Sequence, residues 1–438
     1  MREMRESGVE WLAEIPTTWD LVQLGSLFSE HKHKNAGLQS ENLLSLSYGN
    51  IIRKDINTSD GLLPESFEGY NVIDDGDIVL RLTDLQNDQR SLRVGLSHER
   101  GIVTSAYVTL RKRSEAINSK FYYYLIHSYD VRKGFYGMGA GVRQGLNYAG
   151  CKKIMLTLPP TDEQESIVAV LDEKTAKVDA LIANVQAQIE KLKAYKQSLI
   201  TEVVTKGLDP SVPMKDSGVD WIGEIPMHWN IVATKYLFEI FSGATPKSEI
   251  IANWDGNIIW ITPADYKTDD VFVSCGRRNL SEQGFASCST SIIPANSIIF
   301  SKRAPIGAVA INTVELCTNQ GCLSCVNKDE SNINARFFYY VMAIATEHYE
   351  LLGSGTTFKE ISASNFANFV LPWPAIDEQI AMVEYLDDKC TMIAQLIAIK
   401  QKKINKLTEY KKSIIYEYVT GKKEVPWWIK VRNDLNGI

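Results

Sequence analysis

One phrase is written twice. Residues 7–19 read SGVEWLAEIPTTW and residues 217–229 read SGVDWIGEIPMHW, so Ser, Gly, Val, an acid, Trp, Glu, Ile, Pro and Trp recur 210 residues apart. A duplication constrains a fold more than any local motif, because each copy must find equivalent surroundings. Further copies lie 215 residues apart: DEQESIVAVLDEKTAKVDALI from Asp162 returns as DEQIAMVEYLDDKCTMIAQLI from Asp377, and KLKAYKQSLITEVVTKG from Lys191 as KLTEYKKSIIYEYVTGK from Lys406. LPP at Leu158 faces LPWP at Leu371, and FYYY at Phe121 faces FFYY at Phe337. Each half therefore runs in one order: Trp phrase, variable middle, proline stop, long helix. The middles differ strongly from each other. The frame is repeated and the content is not.

The long helices are legible by period. Leu171, Val178, Ile182, Val185, Ile189, Leu192, Leu199 and Val203 advance in steps of three and four, with Thr175 and Lys196 filling the remaining seam positions. Leu386, Cys390, Ile393, Ile397, Ile404, Leu407, Ile414 and Tyr418 hold the same register, interrupted by Lys400 and Lys411. A polar residue on an apolar seam lowers stability but fixes register and partner choice. Two readings are open: each helix packs only on its own domain, or the two pair. The shared pattern favours pairing, with Val178, Ile182, Ile189, Leu192, Ile393, Ile397, Ile404 and Leu407 at its centre. Paired antiparallel, such helices would span on the order of 60 Å.

The middles read as mixed α and β. GDIVLRL from Gly76 and NSIIFSK from Asn296 are short apolar runs after turn residues. NSKFYYYLIHSYDVRKGFYG and NARFFYYVMAIATEHYELLG predict helices with an Asn cap and a Gly stop, each followed by a Gly-rich turn, GMGAG or GSGTT. The expected fold is α+β: two globular α/β heads separated by two long antiparallel coiled-coil helices, with a pseudo-two-fold internal repeat. The boundaries fall at 1–157 for the first head, 158–207 for the first helix, 208–370 for the second head, 371–421 for the second helix and 422–438 for a tail. The Trp phrase is expected at the junction of helix end and head. There Trp and Ile would pack, Pro would fix a bend and Glu would serve as a cap or partner contact. Trp11, Trp19, Trp221 and Trp229 are assigned to scaffold packing or partner docking.

Composition excludes several classes. With 438 residues, 45% apolar and 23% charged, the chain is long enough for two or more cores. No apolar run approaches the ~18–20 residues of a membrane span, and the N-terminus lacks an apolar signal stretch, so a soluble, cytoplasmic protein is expected. Seven cysteines suit a reducing compartment. Cys317, Cys322 and Cys325 cluster in sequence, but a zinc site would want a fourth ligand, and buried thiols are the expectation.

Catalytic chemistry is hard to find. There is no Gly-rich loop ending in Gly-Lys-Ser/Thr, no Asp/Asn-Pro-Pro-aromatic segment and no strand–Gly-x-Gly fingerprint. GMGAG follows a helix rather than opening one. Glu409 to Lys411 has nuclease-like spacing but lies on the seam helix. The six histidines meet no Ser/Cys–acid constellation.

These phrases together resemble the specificity (S) subunit of type I restriction–modification enzymes. The resemblance rests on the duplicated Trp phrase, on LPPTDEQESIVAVLD and LPWPAIDEQIAMVEYLD, on TSAYVTLRK and TNQGCLSCVN, and on LTDLQNDQRSLRVG and SKRAPIGAVAI. It spans nearly the whole chain. It implies two target-recognition domains, each reading half of a split, asymmetric sequence in double-stranded DNA, with the helices setting the gap. It implies a non-catalytic chain that recruits two modification (methyltransferase) subunits and restriction (translocase-nuclease) subunits. S-adenosylmethionine, ATP and Mg would be bound by those partners, and none by this chain. A coiled-coil protein-interaction scaffold without DNA binding is the alternative.

Base readout needs Arg, Lys, Asn or Gln able to reach base edges. The segment RLTDLQNDQRSLR carries Arg81, Gln86, Asn87, Gln89, Arg90 and Arg93; a solvated polar loop is its bland reading. The turn after GMGAG adds Arg143, Gln144 and Asn147. LSYGNIIRKD offers Tyr48, Asn50 and Arg53 more weakly. In the second middle, SKRAP places Lys302 and Arg303 after a strand, and GSGTTFKE offers Thr356, Thr357 and Lys359. Net charge is −6, awkward for a DNA binder. Its distribution is uneven: residues 32–153 hold 17 Lys/Arg against 13 Asp/Glu, and residues 247–360 hold 9 against 12. One head could carry a basic face; the other would need local patterning or a helping partner.

Overall fold

The computed structural model describes residues 2–426, other than 58–63, 65, 86–87, 89, 139–144, 268–270, 304 and 356–358. By compactness the chain divides into residues 1–186 with 401–438, and residues 187–400. This division differs from the boundaries drawn along the sequence. It cuts both long helices near their middles, because each half-helix packs with the head beside it. No helix among the described residues is long and apolar enough to cross a membrane.

In the first unit a four-stranded antiparallel sheet runs in the order Phe28–Glu30, Val108–Lys112, Ile78–Leu80, Val94–Leu96. Alternate residues of Ile78–Leu80 face two cores. Ile78 and Leu80 pack with Phe121, Leu125 and Leu110, whereas Val79 packs with Leu44, Ile73 and Val103. Burial on both faces explains why these strands read as continuous apolar runs rather than alternating ones. One cover is the aromatic helix Ser119–Val131. Its cap is Asn118, whose side chain accepts from the N–H groups of Lys120 and Phe121. Its stop is not the expected glycine: Lys133 takes the left-handed conformation (φ 64°) and Gly134 N–H returns to Tyr129 O at 3.0 Å.

The second unit repeats the sheet as Phe238–Ser242, Cys322–Asn327, Ile298–Ser301, Val309–Asn312, then adds a parallel strand, Phe272–Val273. Ile298 and Phe300 face one core; Ile299 faces another with Tyr266 and Val273. The aromatic helix is shorter than its twin. Ala335–Ile344 stops at Ala345 and a second helix, Thr346–Leu351, follows. The Thr346 hydroxyl donates to Ala343 O at 3.0 Å, drawing on a carbonyl of the last turn.

The three clustered cysteines lie in strands and are buried. Cys322 and Cys325 are three residues apart on one strand, so they point to opposite faces and enter different cores. Cys317 enters a third, with Trp254 and Trp260. Burial pushes the Cys317 thiol up to about 11 and Cys322 to about 12.

The long helices are Thr161–Lys206 and Ile376–Val419. Within the first unit their seam side holds Leu171, Thr175, Val178 and Val185 (buried) and Ile182 (half-buried), with Ile404 and Leu407 half-buried and Ile414 and Tyr418 buried on the returning helix. Within the second unit it holds Ile189, Leu199 and Val203 buried and Leu192 half-buried, with Leu386 and Ile393 buried and Cys390 and Ile397 half-buried. The helices run antiparallel in each unit. The seam lysines mark the crossings: Lys411 Nζ donates to Asp179 at 2.7 Å in the first unit, and Lys400 Nζ to Gln188 Oε1 at 2.6 Å in the second.

The repeated phrase joins helix ends to head in both units. Met4–Glu6 pairs with Glu14–Pro16, and Met214–Asp216 with Glu224–Pro226, as small antiparallel hairpins. Trp19 and Trp229 are fully buried. Each indole N–H donates to a helix carboxylate, Trp19 to Glu163 Oε2 at 2.8 Å and Trp229 to Glu378 Oε1 at 3.1 Å. The glycine that ends a long helix backs onto the same indole: Gly421 (φ 73°) on Trp19, Gly207 (φ 78°) on Trp229. Trp11 meets Tyr129 edge-on and Trp221 stacks on Phe369. The phrase's own Glu14 and Glu224 are exposed on the hairpins and cap nothing. The carboxylate that matters comes from DEQ. Its glutamine is equally specific: Gln164 accepts from Asn118 N–H and donates to Pro159 O, and Gln379 does the same with Asn334 and Pro374.

Candidate nucleic-acid interface

In the first head, residues 81–93 connect two paired strands of the sheet. Leu82 O accepts from Leu146 N–H at 2.8 Å, which draws this segment against the turn that carries Asn147. In the second head, Lys302 O accepts from Ile361 N–H at 3.0 Å. The two bonds occupy equivalent places: by strand register Leu82 and Lys302 both lie two residues beyond Leu80 and Phe300, and each is linked to the segment after the Gly-rich turn. Four segments singled out by composition are thus brought together in pairs, one pair per head.

The individual side chains fare differently. Arg81 is half-buried with Asp88 at 3.6 Å, and Arg90 is exposed. Asp88 accepts from Ser91 N–H at 3.0 Å and Arg90 N–H at 3.2 Å. The hydrogen bonds from Ser91 hold its carboxyl down at about 2. Gln86, Asn87, Gln89, Arg143, Gln144, Thr356 and Thr357 lie outside the described residues. Asn147 is exposed, but its side-chain oxygen caps the Tyr148–Cys151 helix by accepting from Gly150 N–H at 3.1 Å. Lys302 and Arg303 converge on Glu360, at 2.8 and 3.7 Å, so part of their charge is neutralised. Lys359 is exposed beside them.

Arg93 corrects an expectation. Its place in a polar run predicts base readout, yet it is fully buried. Its Nη1 donates to the carbonyls of Arg81 (3.2 Å) and Thr83 (2.8 Å), its Nη2 to those of Asp84 (3.3 Å) and Asp88, and its Nε to the Tyr136 hydroxyl (3.3 Å). With every N–H engaged inside the protein, none remains for a base edge. An arginine in a polar run gives no local sign of burial, which is why the sequence pattern misplaced it.

Tyr48, a weaker candidate in the sequence, gains standing from its geometry, and the sequence reading passes over Arg277 and Arg278. Tyr48 and Gly49 both adopt left-handed backbone (φ 45° and 82°) at the tip of the hairpin Leu44–Ser47/Asn50–Arg53, and Tyr48 stands 73% exposed. Tyr is a poor residue for such a turn, so the sequence offered the residue but not the hairpin tip it occupies. Arg53 beside it is held by Glu99 at 2.6 Å. Arg277 and Arg278, adjacent in the second head, are exposed, Arg278 lying 3.9 Å over the Trp254 ring. Trp254 and Trp260 are themselves buried edge-to-face at 5.2 Å. The dipeptide Arg-Arg was the available signal.

Among the described residues, one cluster, His31, Asp74 and Asp77, has metal-ligand composition. A guanidinium already bridges its carboxylates, Arg111 Nε donating to Asp77 at 2.8 Å and Nη2 to Asp74 at 2.7 Å. Burial and Arg111 both pull the His31 pKa down.

Two different heads, each joined to a long helix by the same Trp–Glu bond, define an internally duplicated α+β architecture. The model of the type I restriction modification DNA specificity domain matches residues 226–409. The specificity subunit of the type I restriction enzyme MjaVIII of Methanocaldococcus jannaschii is 25% identical over 442 residues, 96% of this chain and 95% of that protein. The MjaIX specificity subunit of the same organism is 35% identical over 173 residues, 38% of this chain; the match spans only 40% of that protein's length. A solved chain described under "complex assembly and conformational transition of the type I R-M system" shares the fold, with TM-score 0.70 and 16% identity over 92% of this chain and 98% of its own. The chain is thus similar, over nearly its whole length, to type I restriction enzyme specificity subunits, and its residues 226–409 match the DNA specificity domain of that system.

Proposed function

We propose that this chain is the DNA sequence-specificity subunit of a type I restriction–modification complex. Each head reads one half of an asymmetric, bipartite sequence in double-stranded DNA. The repeated frame docks two modification subunits, and restriction subunits join that assembly. The carrying observation is the equivalent placement of two unlike polar surfaces: Leu82 O with Leu146 N–H in one head, Lys302 O with Ile361 N–H in the other. A repeated frame with divergent contact loops suits one protein reading two different half-sites.

In this reading the chain is not catalytic. S-adenosylmethionine, ATP and Mg belong to the partner subunits, and the chain works in the cytoplasm, where the DNA is. The partners also supply part of the phosphate contact, which a net charge of −6 requires.

Methylome sequencing of cells carrying this chain with its methyltransferase tests the proposal. One new methylated bipartite sequence, absent without the chain, is the expected result. No methylated motif, together with no DNA binding by the assembled complex, would favour a protein-interaction scaffold instead.

A further inference from the structure

The buried Arg93 has more to do than fill space. All five of its N–H groups are engaged, four of the bonds to main-chain carbonyls between residues 81 and 88. Tyr136 completes the arrangement. Its ring lies 5.1 Å beneath the guanidinium, and its hydroxyl accepts from Arg93 Nε and donates to Asp88 O at 3.3 Å. Arg93 N–H is itself held by Asp130 Oδ2 at 2.7 Å. The described residues of 81–93 carry neither helix nor strand, and backbone bonds hold them at few points: Arg81 N–H to Arg93 O at 2.9 Å, Asp88 N–H to Asp84 O at 3.2 Å and Leu146 N–H to Leu82 O at 2.8 Å. Asp84 adopts left-handed backbone (φ 56°), which Asp enters more readily than most residues, and in that conformation its carbonyl accepts from Arg93 Nη2 at 3.3 Å.

We propose that Arg93 is the positioning residue that sets base preference at the half-site read by the first head. It touches no DNA. It holds the backbone at residues 81, 83, 84 and 88 in one shape, so that side chains such as Arg81 and the neighbouring Arg90 meet base edges in one geometry. The inference rests on the DNA-reading role proposed above. The second head provides an internal control. Strand register places Leu80 against Val94 and Phe300 against Val309, so the counterpart of Arg93 is Ala308, which has no side chain to reach a carbonyl.

The test uses the full chain with its methyltransferase partner and a duplex DNA library randomised in both half-sites. Bound sequences are compared for the wild type, Arg93→Lys and Tyr136→Phe. Lysine keeps the charge but is a point donor that cannot serve four carbonyls and a hydroxyl. Tyr136→Phe keeps the ring and removes only the hydroxyl. Arg93→Lys should reduce discrimination at the first half-site by about tenfold, in line with the loss of one well-placed base contact. The second half-site should be unchanged. Tyr136→Phe should shift the first half-site in the same direction by roughly two- to threefold. Unchanged first-half preference in both variants, or an equal loss at both half-sites, overturns the inference. If Arg93→Lys does not fold, Tyr136→Phe decides alone: a shift confined to the first half-site supports it and none overturns it. A wild type that selects no sequence overturns the DNA reading beneath it, and this inference with it.

Discussion

The indole N–H of Trp19 donates to Glu163 Oε2 at 2.8 Å across 144 residues of sequence, and that carboxylate is also gripped by Arg2 at 2.5 and 2.8 Å. The joint is partly shielded, so the bond to an ionised acceptor is worth about 1.5–3 kcal/mol. Trp19→Phe should therefore destabilise the first unit by about 2 kcal/mol or more. Hydrogen exchange should speed up in residues 2–20 and 155–170 while the peptide around Trp229 keeps its protection. Uniform loss of protection in both units would contradict the local account.

The helix-ending glycines should not be equally replaceable. Both have positive φ, so alanine strains either one by about 1 kcal/mol. A Cβ on Gly421 would run into the ring of Pro16, whereas on Gly207 it would meet Trp229 at 3.3 Å. Gly421→Ala should lower the urea midpoint clearly more than Gly207→Ala.

The seam lysine Lys411 should contribute register more than stability. Its side chain is 31% exposed and that of Asp179 is 56% exposed, so solvent screens the pair. A double-mutant cycle with Lys411→Ala and Asp179→Ala should give a coupling of roughly 0.2–1 kcal/mol that shrinks in high salt. Lys411→Leu should leave stability unchanged or raise it.

His127 should make the first unit acid-sensitive. Burial, with Lys411 and Lys412 facing it, lowers its pKa from 6.5 to about 4. The folded state thus binds fewer protons than the unfolded state between those values, and stability falls as pH drops through that window, by roughly 3 kcal/mol at most. Asp130 works the opposite way. Burial raises it to about 6, so its contribution to the fold is greatest in acid and is lost as pH rises from about 4 to 6. His127→Gln should narrow the difference in urea midpoint between pH 7 and pH 5. An unchanged difference would show that His127 does not set it.

Thiol chemistry should separate the cysteines. Cys275 is exposed, while Cys317, Cys322 and Cys325 are buried and their thiols pushed up. A disulfide reagent at pH 8 should label Cys275 in the native protein and reach the other three only on unfolding.

What the sequence determined by itself was the frame. Repetition is visible without any structure, and so is a seam with a period between three and four. Val178, Ile189 and Ile393 are buried because helical geometry alone brings such positions onto one side. Strands such as Ile78–Leu80 were legible because burial on both faces leaves an unbroken apolar run. The tertiary structure decided what polar residues do. Arg81 and Arg93 stand in one run and look alike, yet one keeps contact with solvent and the other is enclosed by carbonyls. Likewise DEQ reads as a helix start, and only folding shows its Glu163 taking the Trp19 indole and its Gln164 the Asn118 N–H. Periodicity is a local property that the chain carries wherever it goes. The partner of a charge is a neighbour in space, supplied by residues far away in sequence.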